Sequence, residues 1–400
     1  MPRVKSSKIR KVLTERIEFA PDRDAEVFAT APAGPAVFLL RGEAAQAEPY
    51  VSKTANLRRR LQRLLGPVAE RTKKLNLRDR VRIIEYSATG SDFESGFLLY
   101  RTLREAFPKT YQNRLRFRFA PFVKFHLENE YPRASITTRL GRLGGSALYY
   151  GPFVSRVAAE KFMNDSLDFF KMRRCVDDLH PDPKFPGCIY SEMKMCLAPC
   201  FKGCTDDEYS AEVTRVQTYF DTGGNSLLRQ FSDEREAASA SLAFEDAAAI
   251  HARIEKLKPI LGQLPEIVQR LDRLTALMIQ PSHVDGAVAF FRVDSGRIAG
   301  PVTFSIQPAE HAKSQSMEAR VQETLRALPL PPTMRVLETI EHIAIFKRWF
   351  YRRSRTGEIF FSDDKGDLPM RRIVRGISRV FRGEKSDETA IKTSGEPLHP

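Results

Sequence analysis

The sequence predicts an α/β multidomain protein, and three observations carry that reading. Its 400 residues exceed what one ordinary hydrophobic core organises, so two to four domains are expected. Short apolar runs of strand character alternate along the chain with segments of helical period. All five cysteines lie between Cys175 and Cys204, which sets one loop-rich segment apart from the rest. A hydrophobic content of 42% with 28% charged residues is that of a soluble globular chain. No run reaches the roughly 18 apolar residues of a membrane span. Met1 to Arg10 is basic, but no apolar stretch of a secretory signal follows it. A cytoplasmic location is therefore expected, where thiols stay reduced and favour metal or cluster binding over disulfides.

The elements follow in order. Residues 1–29 are polar and basic and are expected to be poorly ordered. Val37 to Leu40 and Pro49 to Val51 read as a strand pair joined through Gly42 to Glu48. Asn56 to Leu65 reads as a basic helix with Leu57, Leu61, Leu64 and Leu65 on one face. Val81 to Tyr86 is a further strand. Asp92 is positioned to cap a helix from Phe93 to Phe107, which Pro108 ends. These elements make a small α/β unit over 30–113. A linking α/β segment covers 114–170, with strands at Phe117 to Phe125 and Ala134 to Thr138 and a helix from Ser155 to Asp168. The cysteine segment occupies 171–205 and a helical region 206–260. That region reads as two stretches, Asp206 to Arg229 and Asp233 to Leu257, the second with a small-residue face that suits a close helical hairpin. An α+β region over 261–382 contains a strong hairpin signal, Gly286 to Val293 and Arg297 to Ile306 about Ser295-Gly296, then an amphipathic helix from Glu338 to Tyr351. The tail 383–400 is polar and expected to be disordered.

Two features point to chemistry. The net charge is +14. Excess Lys and Arg suits a polyanion, because phosphates neutralised by a protein release counterions. Arg58, Arg59, Arg60 and Arg63 cluster on one helix. Arg114, Arg116 and Arg118 alternate with other residues near aromatics, and Arg352, Arg353 and Arg355 lie beside Trp349 and Tyr351. A solvated basic surface is the plainer reading of the same charge. The second feature is the spacing Cys175-x12-Cys188-x7-Cys196-x3-Cys200, with Cys204 a further x3 step on. Four thiolates at such spacing suit tetrahedral zinc or an iron–sulfur cluster, and spacing alone does not choose between them.

Four segments, in order, resemble the family of the C subunit of the bacterial UvrABC excinuclease. Pro35 to Phe38, Tyr50-Val51-Ser52-Lys53 and Asn56 to Leu61 look like the two halves and the helix of a GIY-YIG nuclease motif. Tyr131-Pro132-Arg133 and Tyr149 to Phe153 look like the family's FPR and YFGPY segments. Met195-Cys196-Leu197-Ala198-Pro199-Cys200 looks like its RCLAPC segment. Leu242-Ala243-Phe244-Glu245-Asp246-Ala247-Ala248 looks like its UVR motif, a helical hairpin that contacts UvrB. The resemblance implies a nucleotide excision repair protein that binds double-stranded DNA and contacts UvrB through Leu242, Phe244, Glu245, Ala247 and Ala248. It also favours a [4Fe-4S] cluster on Cys175, Cys188, Cys196 and Cys200, with zinc as the alternative.

Carried over position by position, the nuclease site retains Tyr50, Lys53 and Arg60, with Arg58, Arg59 and Arg63 as DNA-binding residues. Three positions depart. Phe38 stands where the family has a Tyr, Tyr100 where it has the metal-binding Glu, and Gln112 where it has an Asn. A phenol stays protonated near neutral pH and is a poor ligand for Mg²⁺ or Mn²⁺. Metal-assisted hydrolysis needs that ion at the phosphate, so the resemblance implies an impaired nuclease. Glu94 is the first rival acid, and Phe38→Tyr with Tyr100→Glu is expected to restore metal binding. The chain resembles the family's N-terminal half, the layout of the short homologue Cho. Two readings stand: a non-catalytic DNA-binding repair protein, and an active Cho-like endonuclease making a single incision near a lesion.

Overall fold

The computed structural model describes residues 12–43, 47–67, 75–177, 179–307, 315–328 and 335–384. The fold is mixed α/β, with three four-stranded antiparallel sheets among the described residues. Most of residues 1–11 and 385–400 was expected to lack order, and these residues lie outside that description.

The first sheet has the order β1-β4-β2-β3. Its strands are β1 (Glu15–Glu18), β2 (Ala36–Gly42), β3 (Tyr50–Thr54) and β4 (Val81–Ala88). Residues 12–29 therefore differ from the expectation of poor order. Glu15 to Glu18 pairs with Tyr86 to Ile83 at the sheet edge, and α1 (Asp24–Thr30) follows. Asn56 caps α2 (Leu57–Leu65) by accepting the Arg59 N–H, and Leu57, Leu61, Leu64 and Leu65 are the buried stripe. Ser91 rather than Asp92 caps α3 (Asp92–Ala106); its hydroxyl accepts the Glu94 N–H. Asp92 is the first helical residue, which leaves its carboxylate free to face other groups. After α3 comes the short α4 (Tyr111–Leu115).

Helix α3 is apolar on two sides. Leu98, Leu99 and Ala106 pack on Val37, Leu39 and Val51 of the first sheet. Phe93, Phe97, Tyr100 and Leu103 enter a much larger core built by the rest of the chain. That core contains the second sheet, of order β6-β5-β7-β8. Its strands are β5 (Phe122–His126), β6 (Ala134–Thr137), β7 (Ala147–Gly151) and β8 (Gln269–Arg270). Helix α5 (Arg156–Leu167) covers it, and the short α6 (Ile189–Glu192) sits in the cysteine segment. Thr205 and Glu208 form a reciprocal capping box that starts α7 (Asp206–Asp221). Gly223 and Gly224, both at positive φ, end α7 and begin α8 (Asn225–Ala240). The chain turns again at 241–243 before α9 (Phe244–Gly262). The break between the last two helices thus falls inside the stretch expected to be one helix, and Leu242 lies in the turn at φ 61°.

The third sheet has the order β11-β10-β9-β12. It consists of β9 (Thr275–Pro281), β10 (Ala287–Asp294), β11 (Arg297–Ser305) and β12 (Glu358–Phe361). Ser295 and Gly296 take φ 50° and 78°, as a two-residue hairpin turn of this twist requires. One face of this sheet packs on α10 (Met317–Arg326) and α12 (Met370–Arg382) through Phe290, Val321, Ile373 and Ile377. The other carries α11 (Val336–Phe350) and meets α3. Phe93 stacks edge-on against Phe291 at 5.0 Å and lies 5.7 Å from Trp349. Trp349 is therefore a core aromatic, and its indole N–H donates to the Thr356 carbonyl.

His342 of α11 is buried, and its Nδ1 accepts the Ile298 N–H. Burial, with Arg104 and Arg101 nearby, pushes its pKa down to about 3. The folded state therefore holds it neutral, while the unfolded chain protonates it below about pH 6.5. Its stabilising contribution is complete above about pH 6.5 and is lost as the pH falls towards 3. Thermal unfolding between pH 7 and pH 5 should show stability falling by up to about 1.4 kcal/mol per pH unit from this group. The curve should flatten in His342→Gln; identical slopes in the two proteins would refute the assignment.

Candidate functional site

The residues aligned with the nuclease motif do not gather round one point. They fall into three groups, and the strand register explains why. In the β2–β3 pair, Phe38 lies opposite Ser52 and Leu40 opposite Tyr50, whereas Val37 lies opposite Lys53 and Leu39 opposite Val51. Side chains alternate along a strand, so Phe38 and Tyr50 share the α2 face while Lys53 shares the α3 face.

On the α2 face, the Arg60 guanidinium donates to the Tyr50 hydroxyl at 2.9 Å. Phe38 is fully buried, and its ring lies 6.0 Å from that of Tyr50. Phe38 belongs to an apolar core with Leu40, Leu57 and Leu61. Arg58 donates to the carbonyls of Ala31 and Ala29, so it closes the end of α1. Arg59 and Arg63 are exposed.

On the α3 face, Lys53 bonds the Asp92 carboxylate at 2.5 Å, and Arg352 from beyond α11 bonds its second oxygen. Burial would raise the Asp92 pKa, but Lys53 and Arg352 outweigh it and hold the carboxyl below the usual range. These groups line a groove of about 440 Å³ between the first sheet and the C-terminal region, with Arg355, Ser91 and Ser95 on its walls. Among the described residues, Asp92 is its only acidic lining residue. Flanked by two cations, it is already neutralised and is a poor anchor for a divalent ion. Glu94 is buried, and it accepts the Gly90 N–H at 2.8 Å. Burial raises its pKa, against the pull of that N–H. The loop that it closes is tight: a Cβ on Gly90 would lie 2.3 Å from the Pro281 carbonyl oxygen.

The third group is the most informative. Tyr100 and Gln112, the positions aligned with the metal-binding Glu and its Asn, both donate to one carboxylate, Glu341 of α11. Tyr100 Oη lies 2.9 Å from Oε2, and Gln112 Nε2 lies 2.6 Å from Oε1. Tyr111 Oη adds a third bond to Oε1 at 2.7 Å. Glu341 is 0% exposed. One turn away, Glu338 receives a two-pronged bond from Arg104, which also reaches Tyr100 Oη at 3.3 Å. Burial, then the Glu341 charge, raises the Tyr100 pKa far above its ordinary value, so the phenol stays a donor. Sequence reasoning missed Glu341 and Asp92. A usable signal existed: Glu338, Glu341 and His342 stand at three- and four-residue spacing among the apolar residues Ile340, Ile343 and Phe346.

The cysteine segment hangs on Arg173, which is buried. Arg173 donates to the carbonyls of Tyr131 and Asp177 and to Cys175 Sγ at 3.3 Å. Tyr209 of α7 accepts the Arg173 N–H and donates to Pro132 O. The Ala198 N–H points at Cys196 Sγ, also at 3.3 Å. Burial pushes the Cys196 thiol up to about 11, and Cys175, Cys200 and Cys188 add to the rise. Burial, then the charges of Glu208, Asp206 and Cys200, raises the Cys204 thiol pKa. Among the described residues, no three His, Cys, Asp or Glu side chains stand close enough together to hold a metal ion. At the other end of the helical region, the α8–α9 hairpin projects from the body. Leu242 and Phe244 at its tip are 72% and 65% exposed, Glu245 and Ala248 are exposed, and Ala247 is half-buried.

Residues 120–219, which span β5 to β7, the cysteine segment and most of α7, match the family described as UvrC/Cho excinuclease, middle domain. The chain carries a UvrC-family middle domain. Three curated relatives, each called UvrABC system protein C, give the scale of the likeness. That of Rickettsia rickettsii (strain Sheila Smith) is 25% identical over 270 residues, 67% of this chain and 41% of the relative. That of Alcanivorax borkumensis is 26% identical over 272 residues, 68% of this chain and 44% of the relative. That of Ruminiclostridium cellulolyticum is 24% identical over 358 residues, 86% of this chain and 58% of the relative. The chain thus spans between two fifths and three fifths of the length of these relatives. No solved structure matches it significantly.

The clasp on Glu341 corrects the expectation that Tyr100→Glu repairs the metal site. Glutamate at position 100 would face a second carboxylate in a buried setting. Tyr100→Phe should cost about 1–2 kcal/mol, one hydrogen bond to a charged group. Tyr100→Glu should cost about 3–5 kcal/mol, as an uncompensated buried charge does. Adding Glu341→Gln should recover much of the second loss. Urea denaturation of the three variants measures this; wild-type stability in Tyr100→Glu would show that the clasp is not formed.

Proposed function

We propose that this chain is a nucleotide excision repair protein that binds duplex DNA and does not hydrolyse it at its GIY-YIG-like domain. The single observation that carries this is the occupation of Tyr100 and Gln112 by Glu341. The position where the family holds a divalent ion is a buried joint between α3, α4 and α11 of the same chain. A scissile phosphate has no route to it. Arg60, Tyr50 and Lys53 remain, but the first two face away from the third. Arg59 and Arg63 are exposed for the phosphate backbone, while Arg58 is engaged by backbone carbonyls. Phosphate contacts of this kind position a protein on DNA without reading its sequence.

Two further parts of the reading follow from geometry. The α8–α9 tip, with Leu242 and Phe244 in solvent, suits docking of a protein partner, and its resemblance to the UVR motif makes UvrB that partner. The donor set Cys175, Cys188, Cys196 and Cys200 suits a soft metal centre. N–H donors point at two of its sulfurs, from Arg173 to Cys175 and from Ala198 to Cys196. A [4Fe-4S] cluster held there would tie the segment together; zinc is the alternative ion for the same thiolates.

Two measurements test the reading. The purified protein should bind lesion-bearing duplex yet leave it intact in Mg²⁺ or Mn²⁺, with or without UvrB; incision near the lesion that Arg60→Ala abolishes would instead establish an active Cho-like endonuclease. Anaerobic purification should yield a brown protein with about four irons per chain. Cys196→Ala or Cys200→Ala should bleach it, whereas stoichiometric zinc without iron would assign the site to zinc.

A further inference from the structure

The C-terminal helix α12 carries a charged face that none of the preceding motifs uses. Its sequence, Met370 to Arg382, contains five arginines and no acidic residue or lysine. Helical period divides it sharply. Ile373, Gly376, Ile377 and Val380 are buried against the third sheet. A Cβ on Gly376 would lie 2.3 Å from the Phe360 ring, so the helix lies flush on the strands. Arg379 is committed to this inner side, with two bonds of 2.6 Å to the oxygens of buried Glu358. Arg371, Arg375, Ser378 and Arg382 recur at steps of four, three and four residues along the outside, and all are exposed.

We propose that this outer stripe is a second DNA-contacting surface that takes the phosphate backbone of one strand. The inference rests on the DNA-binding reading above and adds to it a separate face. From Arg371 to Arg382 the stripe runs about 16 Å at 1.5 Å per residue. That length corresponds to about five base-pair steps along a duplex axis at 3.4 Å each. Guanidinium is the side chain suited to two-pronged contact with phosphate oxygens, and a serine hydroxyl adds a neutral donor between the charges. The local acids do not cancel the stripe. Glu358 is consumed by Arg379, and Glu384 meets Arg382 in an exposed pair that a phosphate displaces at little cost.

The test uses the full chain and a fluorescein-labelled duplex of arbitrary sequence, with anisotropy read over a salt series. The triple variant Arg371→Gln, Arg375→Gln, Arg382→Gln is compared with wild type and with Arg59→Gln, Arg63→Gln. Each lost phosphate contact lowers the log K against log salt slope by about 0.9, so the triple variant should lose about 2–3 in slope and about 10- to 100-fold in affinity at 0.1 M salt. Its thermal midpoint should hold, because all three side chains are exposed. A triple Arg→Lys variant keeps the charge and should keep most of the slope. Wild-type affinity and slope in the glutamine triple would overturn the stripe and leave the DNA-binding reading intact. Failure of the wild-type protein to bind DNA at all would overturn both. Loss of polyglutamate binding with DNA affinity unchanged would assign the stripe to an acidic protein and overturn the proposal.

Discussion

One buried carboxylate holds the two halves of this molecule together. Glu341 accepts three hydrogen bonds, from Tyr100, Tyr111 and Gln112, across more than 200 residues of sequence. A charge placed out of water is tolerable only when its lone pairs are met, and here three donors converge on two oxygens. The arrangement fixes more than a contact. It sets the rotation of α11 against α3, which places Phe346 and Trp349 in the core and directs His342 to the Ile298 N–H of β11. The third sheet and the first are thereby held at one mutual orientation, with Gly90 close against Pro281 where the two meet. The adjacent Arg104–Glu338 pair sits nearer solvent and adds register rather than much energy.

A metal site needs an accessible carboxylate that is short of partners. Glu341 is fully buried and has its partners already, and the position on α3 that meets it holds a phenol, Tyr100. The exposed acid that remains, Asp92, sits between Lys53 and Arg352 and is neutralised by them. Positive charge therefore persists at that groove.

Away from this joint, the middle of the chain is organised by tyrosines and one buried arginine. Arg173 links the cysteine segment to Tyr131, and Tyr209 links both to α7. The motif-like residues of the second sheet thus form the seat of the cysteine segment. The α8–α9 hairpin leaves this seat with two buried residues on α9, Ile254 and Leu257, near its base. Its tip stands in solvent with large apolar side chains, as a docking element does and a core hairpin does not.

The sequence by itself determined the local elements and the composition of the sites. The leucine stripe and clustered arginines of α2, the Ser295-Gly296 turn and the clustered cysteines were all legible, because each depends on residues close together in sequence. The departures at 38, 100 and 112 were legible as substitutions. Their consequence was not, since it depends on Glu341, which no periodicity connects to Tyr100. The strand β1, the extra strand β8 and the sheet-edge strand β12 escaped notice for a similar reason: each is two to four residues long and exists only through a distant partner. Local pattern encodes what a segment is. Only the tertiary structure decided which face of α3 meets water and which meets a second carboxylate, because buried hydrogen bonds are satisfied by whatever the fold brings within 3 Å.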